Sequence, residues 1–260
     1  MNENEIYQII TFYEFKNLGS AENLKTIKKS LADSMRANSI LGTVILAGEG
    51  FNSTVCGAPQ DVKKFVAEAE RILETKLNYK SSFHAGQPFG RIKVKVKPEI
   101  VTLKKTVEIE AGKGTHTRVS DWNAVISDSE TIVLDARNDY EFRVGTFKNA
   151  VNPQIERFSN LPDFVGENLN PQIHKKIAMF CTGGIRCEKF APYLKSLGFE
   201  TVYQLNGGIL KYLEETPQKE SLWTGECFVF DNRTTVDERL KKGNKKDLSA
   251  QLKAQKNRDE

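Results

Sequence analysis

In the stretch MFCTGGIRCEKF, Cys181 follows four apolar residues and precedes Thr182, Gly183, Gly184, Ile185 and Arg186. An apolar run of this kind reads as a buried strand, and the glycines read as a sharp turn where it stops, ahead of a helix. Glycine permits backbone conformations in which successive amide N–H groups point into one concavity, a nest for negative charge. The following helix adds its positive end. A thiolate in such a cradle is held against protonation, so the spacing predicts a nucleophilic Cys181 with a lowered pKa. Arg186 is expected to supply fixed positive charge at the rim. A lone cysteine at the end of a buried strand would be a small hydrophobe. The coincidence of glycines, arginine and strand-to-helix switch points instead to a reactive thiol.

No base is evident for it. His174 lies seven residues before Cys181, about 20 Å away along an extended strand, and His84 and His116 fall in predicted loops outside this segment. Activation therefore rests on the loop. Cysteine phosphatases need a longer ring of amides, with the arginine one position further along, so that a phosphate fits. Here Arg186 comes five positions after Cys181 and position 187 is a second cysteine. The smaller cradle suits a sulfur-sized anion, such as a persulfide on Cys181. Two readings fit Cys187: a thiol that resolves an oxidised Cys181, and a side chain buried in the following helix.

The elements around this loop alternate. From about residue 117, TIVLD is a short buried strand, YEF opens a helix, and NAVN and IAMFC are strands. EKFAPYLKSLG is a helix, TVYQL a strand and GILKYLEE a helix. Such alternation predicts a mostly parallel, doubly wound α/β sheet covered on both faces, whose ligands sit beyond the carboxyl ends of the strands. Cys181 is at one of those ends. Pro192 lies past the first turn of a helix beginning at Cys187, which predicts a late start or a kink; Gly198 is a stop signal.

The first hundred residues differ. IYQIITFYEF is rich in β-formers, Ser20 can cap a helix running through Met35, and GTVILAG and FNSTVCG are strands around the turn GEG. A second helix from about Pro59 to Leu77 carries Val62, Phe65, Val66, Ala69, Ile72 and Leu73 on one stripe. With a last strand RIKVKVK, the order βαββαβ predicts a ferredoxin-like α+β sandwich. In that strand Ile92, Val94 and Val96 point one way and Arg91, Lys93, Lys95 and Lys97 the other. Two readings fit the basic row: lysines guarding an edge strand, and contacts to nucleic-acid phosphates, whose spacing a row stepping roughly 6–7 Å approximates.

The expected organisation is therefore residues 1–105 as the ferredoxin-like domain, 106–116 as a linker, 117–220 as the second domain, and 221–260 as an extension with a lysine-rich tail. A length of 260 residues fits two cores. A net charge of +4 is too mild to imply nucleic-acid binding by itself. Four scattered cysteines make neither a disulfide framework nor a zinc ligand set, so no metal site is expected. The sequence has no apolar run of membrane-spanning length, and MNENEIYQII lacks the features of a signal peptide; no membrane association and a cytoplasmic location are expected.

CTGGIR resembles a rhodanese active-site loop. DARNDYEF at 135–142, GTFKNAVNP at 145–153 and GGI at 207–209 resemble other rhodanese segments in the same order. LAGEGFNSTVCG, KVKVKPEIVTL, FCTGGIRCEKF and GECFVFDNR together resemble the rhodanese-domain tRNA uridine hydroxylases, over nearly the whole chain to about residue 240. That resemblance implies oxygen-dependent formation of 5-hydroxyuridine at the wobble position of tRNA. Molecular oxygen would be the co-substrate, the tRNA anticodon arm the partner, and an unidentified electron donor a further one. It implies that Cys181 is the essential, persulfide-forming cysteine and Arg186 the loop arginine. Asp135 and Arg137 match signature residues that brace the loop. No flavin fingerprint and no two-His-one-carboxylate set is evident in the sequence. Sulfur transfer from Cys181 and non-catalytic RNA binding are the other function classes the sequence allows.

Overall fold

In the computed structural model, which describes residues 5–110 and 112–245, the chain forms two compact units, one ending at Thr102 and the other starting at Leu103. Positions 246–260 of the lysine-rich tail lie outside the described residues.

The first unit runs β1 (Ile6–Phe15), α1 (Ala21–Ala37), β2 (Leu41–Ala47), β3 (Gly50–Gly57), α2 (Pro59–Leu73), β4 (Tyr79–Ala85) and β5 (Ile92–Val96). Its sheet has the order β4-β1-β3-β2-β5, antiparallel except for the β2–β5 pair. This is the expected ferredoxin-like sandwich with one strand more. The role given to RIKVKVK, the strand closing the βαββαβ order, belongs to β4, while RIKVKVK adds a fifth strand at the opposite edge. The Ser20 hydroxyl accepts from the Asn23 N–H at 3.3 Å and caps α1. Leu24, Ile27, Leu31 and Met35 of α1 and Val62, Phe65, Ala69 and Leu73 of α2 enter one core with Ile10, Phe12, Val44, Phe51 and Val55 of the sheet. Full burial of each large side chain is worth about 1.5–3 kcal/mol. α2 ends at Leu73, four residues before Leu77, with its cap Glu74 at φ 52°, and the freed Leu77 N–H finds the Glu70 carboxylate at 3.1 Å.

The second unit comprises β6 (Thr115–Thr117), α3 (Val119–Ser127), β7 (Thr131–Asp135), α4 (Asp139–Phe142), β8 (Gly145–Phe147), α5 (Leu161–Asn168), β9 (Lys176–Phe180), α6 (Ile185–Ser196), β10 (Thr201–Leu205), α7 (Gly208–Glu215), β11 (Trp223–Gly225), β12 (Cys227–Phe228) and β13 (Thr235–Val236). A parallel sheet of order β6-β10-β9-β7 is its centre. Its core is aromatic: Phe147 meets Trp122, Phe180, Tyr212 and Trp223 edge-on, at centroid distances of 4.7–5.9 Å. Three expectations change. The linker proposed for 106–116 ends in β6, which pairs with β10. NAVN contributes only a bridge from Val151 to Leu134. α6 begins at Ile185 and continues through a buried Pro192 rather than starting late, and Gly198, at φ 92°, follows its end.

Among the described residues, no helix is long and apolar enough to cross a membrane.

Candidate active site

β9 delivers Cys181 to the carboxyl edge of the parallel sheet, where the thiol is 1% exposed. Gly184, at φ 104°, turns the chain into α6 in a conformation an L side chain rarely adopts. The turn aims the Gly184 N–H at the Cys181 Sγ, 3.1 Å away. Burial by itself would raise the Cys181 pKa. The Cys187 thiol, the Arg186 guanidinium and the N–H groups of Cys187 and Gly184 together outweigh it and lower the value to about 5. At neutral pH Cys181 is a thiolate. Cys187 is equally buried, and burial together with its hydrogen bond to Cys181 pushes its own pKa well up. It serves as a neutral donor to the thiolate. No histidine is among the groups acting on Cys181.

The loop's outer side is tied down by α7. The N–H groups of Ile209 and Leu210 donate to the carbonyls of Cys181 and Thr182, at 3.0 and 3.2 Å. A Cβ on Gly208 would stand 2.5 Å from the Cys181 carbonyl oxygen. The glycines of the GGI segment are therefore a condition for this approach. With its carbonyls engaged by α7, the loop presents amides to the sulfur.

Arg186 is not the free rim charge expected from the sequence. It is 8% exposed and forms a bidentate pair with Glu141, both bonds 2.8 Å. Glu141 is fully buried, also takes the Asn138 N–H at 3.0 Å, and is approached by the Thr182 hydroxyl at 3.4 Å. Burial would raise the Glu141 pKa, but Arg186 and Arg137 hold it below the usual carboxylate range. Glu141 went unrecognised as a site residue. It sits in the DARNDYEF segment, three positions after Asn138, as the acidic member of a capping box that opens α4.

Asp135 and Arg137 stand behind the loop. Their side chains pair at 2.6 Å, Arg137 also donates to the Gly145 carbonyl at 2.7 Å, and Thr146 donates to Asp135 at 3.1 Å. The Arg137 guanidinium lies 5.8 Å from the Phe180 ring centroid and 5.2 Å from that of Trp223. Burial raises the pKa of Cys227, in the same interior, to about 12, which keeps it an unreactive thiol. The loop thus brings together Cys181, Thr182, Gly184, Arg186 and Cys187, with Gly183 in its backbone and Ile185 opening the helix.

Two histidines lie in strands rather than the expected loops: His84 in β4, and His116 in β6, where its Nε2 is 2.8 Å from Gln204 and 3.4 Å from Glu188. The Nδ1 of His174 accepts from the Asn170 N–H in the turn before β9. Among the described residues, no three His, Cys, Asp or Glu side chains gather as a metal site.

In the first unit, Ile92 and Val94 pack against the core, so Lys93 and Lys95 face the opposite way. Arg91, Lys95 and Lys97 are exposed and Lys93 is half-buried. Both readings of this row remain physically consistent, because β5 is indeed an edge strand. A second basic surface went unnoticed in the sequence: Lys25, Lys28, Lys29 and Arg36 line a shallow hollow along α1. It lies on the helix layer, and the Lys93 row lies on the sheet's other face.

Residues 7–100 match the UPF0176 acylphosphatase-like domain, and residues 119–215 match the rhodanese-like domain. The chain therefore carries an acylphosphatase-like domain followed by a rhodanese-like domain. Among solved structures, a rhodanese-related protein from Thermoplasma volcanium is similar at 25% identity, over 39% of this chain and 92% of that one, with a TM-score of 0.31. The rhodanese-like domain of an Anabaena protein is similar at 18% identity, over 42% and 78%, with a TM-score of 0.34. An acylphosphatase from Coxiella burnetii is similar to the first unit at 12% identity, over 36% and 96%, with a TM-score of 0.28. The Cys181 loop lies within the residues that match the rhodanese-like domain, a domain type that points to an enzyme.

Proposed function

We propose that this protein is a tRNA-modifying oxidoreductase that hydroxylates C5 of the wobble uridine, with Cys181 as its nucleophile. The observation that carries the reading is a buried cysteine whose sulfur takes the Gly184 N–H at the turn into α6, within a rhodanese-like domain, on a chain whose other domain is of the UPF0176 acylphosphatase-like type and carries an exposed basic strand. Thiolate addition to C6 of uracil forms a C–S bond and places the electron pair on C5, which then bonds an electrophilic oxygen. Loss of the C5 proton and expulsion of the thiolate restore the double bond. Overall, uridine, O2, two electrons and two protons give 5-hydroxyuridine and water, so a two-electron donor outside this chain completes the reaction. Arg91, Lys93, Lys95 and Lys97 would hold phosphates of the anticodon arm, whose unpaired bases splay out at little cost.

The test is mass spectrometry of tRNA nucleosides from cells with and without the gene, complemented by wild type or Cys181→Ser. Loss of 5-hydroxyuridine that wild type restores and Cys181→Ser does not is the expected result. Hydroxylation retained by Cys181→Ser removes the mechanism. The rhodanese-like domain that holds Cys181 favours sulfur transfer as the second reading. In that case the same cells lose thiolated nucleosides and keep 5-hydroxyuridine.

A further inference from the structure

The segment GECFVFDNR, residues 225–233, lies outside the cysteine loop, and its folding raises a question about one side chain. A Cβ on Gly225 would stand 2.4 Å from the Val144 carbonyl oxygen, so this end of the segment is pressed against the backbone beside β8. Cys227, Phe228 and Val229 are buried, and Phe228 meets Tyr140 edge-on at 5.1 Å. Asp231 and Arg233 form a buried ion pair at 2.7 Å. The Thr234 N–H donates to the Asp231 carbonyl and the Val229 N–H to the Thr234 carbonyl, at 2.9 and 2.8 Å, which closes the turn. In the middle of this fixed turn, Phe230 is 62% exposed.

Its place is specific. The Phe230 ring stands edge-on to Phe228 at 5.2 Å, and the guanidinium of Arg186 lies 6.0 Å from its centroid. Arg186 is the arginine whose charge acts on the Cys181 thiolate. A large apolar ring is thus held in water beside the cysteine loop by a turn that buries its neighbours. Glu141 already neutralises Arg186, so what the turn offers beside the loop is the planar apolar face of Phe230, which a flat base covers by stacking.

We propose that Phe230 is the stacking platform for an unpaired base of the RNA at the mouth of the Cys181 loop. The proposal rests on the RNA reading above. Aromatic side chains hold bases this way without hydrogen-bond readout, because every base has a π-face. Phe230 is a binding residue, with no part in the bond-making steps.

The experiment measures affinity of the full chain for an RNA stem-loop with an unpaired, uridine-containing loop, and for versions with an abasic site at each loop position in turn. Phe230→Ala and Phe230→Leu are expected to raise Kd roughly 5- to 150-fold, and Phe230→Trp to restore it. At one abasic position wild type should lose affinity by the same factor, and Phe230→Ala should lose no more. Alkylation of Cys181 at unchanged rate in Phe230→Leu assigns the loss to stacking rather than to a distorted loop. Wild-type affinity in both the Ala and Leu variants overturns the proposal while leaving the RNA reading intact. If wild type itself binds no RNA, that reading fails and the proposal falls with it. If Phe230→Ala instead abolishes self-association in sedimentation, with RNA affinity unchanged, the ring contacts a second copy and the proposal is wrong.

Discussion

Titration of Cys181 should be visible in the stability of the protein as well as in its reactivity. The folded state holds this thiol at about 5 against an ordinary value of 9.0. Below pH 5 the thiol is protonated whether the chain is folded or unfolded, and the group contributes nothing. Between pH 5 and 9 the unfolded chain binds a proton that the folded one does not, so stability rises with pH. At about 1.36 kcal/mol per unit the full gain is roughly 5 kcal/mol, of which about 2 falls between pH 5 and 7. With an m-value of about 2 kcal/mol per molar, that is a shift of about 1 M in the urea midpoint. The assay is urea unfolding of reduced protein at pH 5, 6, 7 and 8, wild type against Cys181→Ser, following the tryptophans, Trp122 and Trp223, both of which lie in the second unit. Cys187, the group coupled to Cys181, is kept neutral across this range by burial, so the difference between the curves reports Cys181. Iodoacetamide alkylation of Cys181 should show the same midpoint, near pH 5. Parallel stability curves, or alkylation that rises only near pH 8.5, would refute the reasoning that loop amides, Cys187 and Arg186 overcome burial.

Two further outcomes follow from the geometry. Glu141→Gln leaves Arg186 buried without its counter-charge, so the second unit should lose about 3 kcal/mol in urea unfolding, and the Cys181 alkylation midpoint should fall rather than rise; a midpoint that rises would mean that Glu141 acts by placing Arg186. Replacing Lys93, Lys95 and Lys97 by serine should weaken tRNA binding and reduce its log–log salt slope by about 0.7 for each phosphate no longer neutralised, whereas replacing Lys25, Lys28 and Lys29 should leave both unchanged. The opposite pattern would move the RNA to α1.

What the sequence disclosed depended on how local each feature is. The strand-glycine-helix pattern around Cys181 is written in consecutive residues, and the alternation of RIKVKVK fixes which side chains share a face. The edge at which that strand lies depends on pairing with β2 across some fifty positions, which alternation does not encode. β4, with the sequence YKSSFHA, was missed because none of its residues is buried, so it lacks the apolar period that betrays a strand. The partner of Arg186 was hidden for the same reason of distance. Glu141 is 45 residues earlier, and its local sequence announces only a helix cap. The supporting role of Asp135 and Arg137 was implied by the resemblance alone; that their side chains bond each other, Gly145 and Thr146 is visible only in the fold.

The pairing of Arg186 with Glu141 changes what the cysteine loop can accept. The thiolate and the carboxylate each carry a negative charge against the single positive charge of Arg186, so the trio is net negative. An incoming phosphate would meet that charge in a buried site, where repulsion is poorly screened, and the amides that would have to hold it are already turned to the cysteine sulfur. A neutral electrophile has no such barrier. A uracil ring qualifies, and a phosphate ester does not. The site is therefore suited to nucleophilic attack on neutral acceptors, and the exposed ring of Phe230 beside Arg186 is a surface such an acceptor meets on the way in.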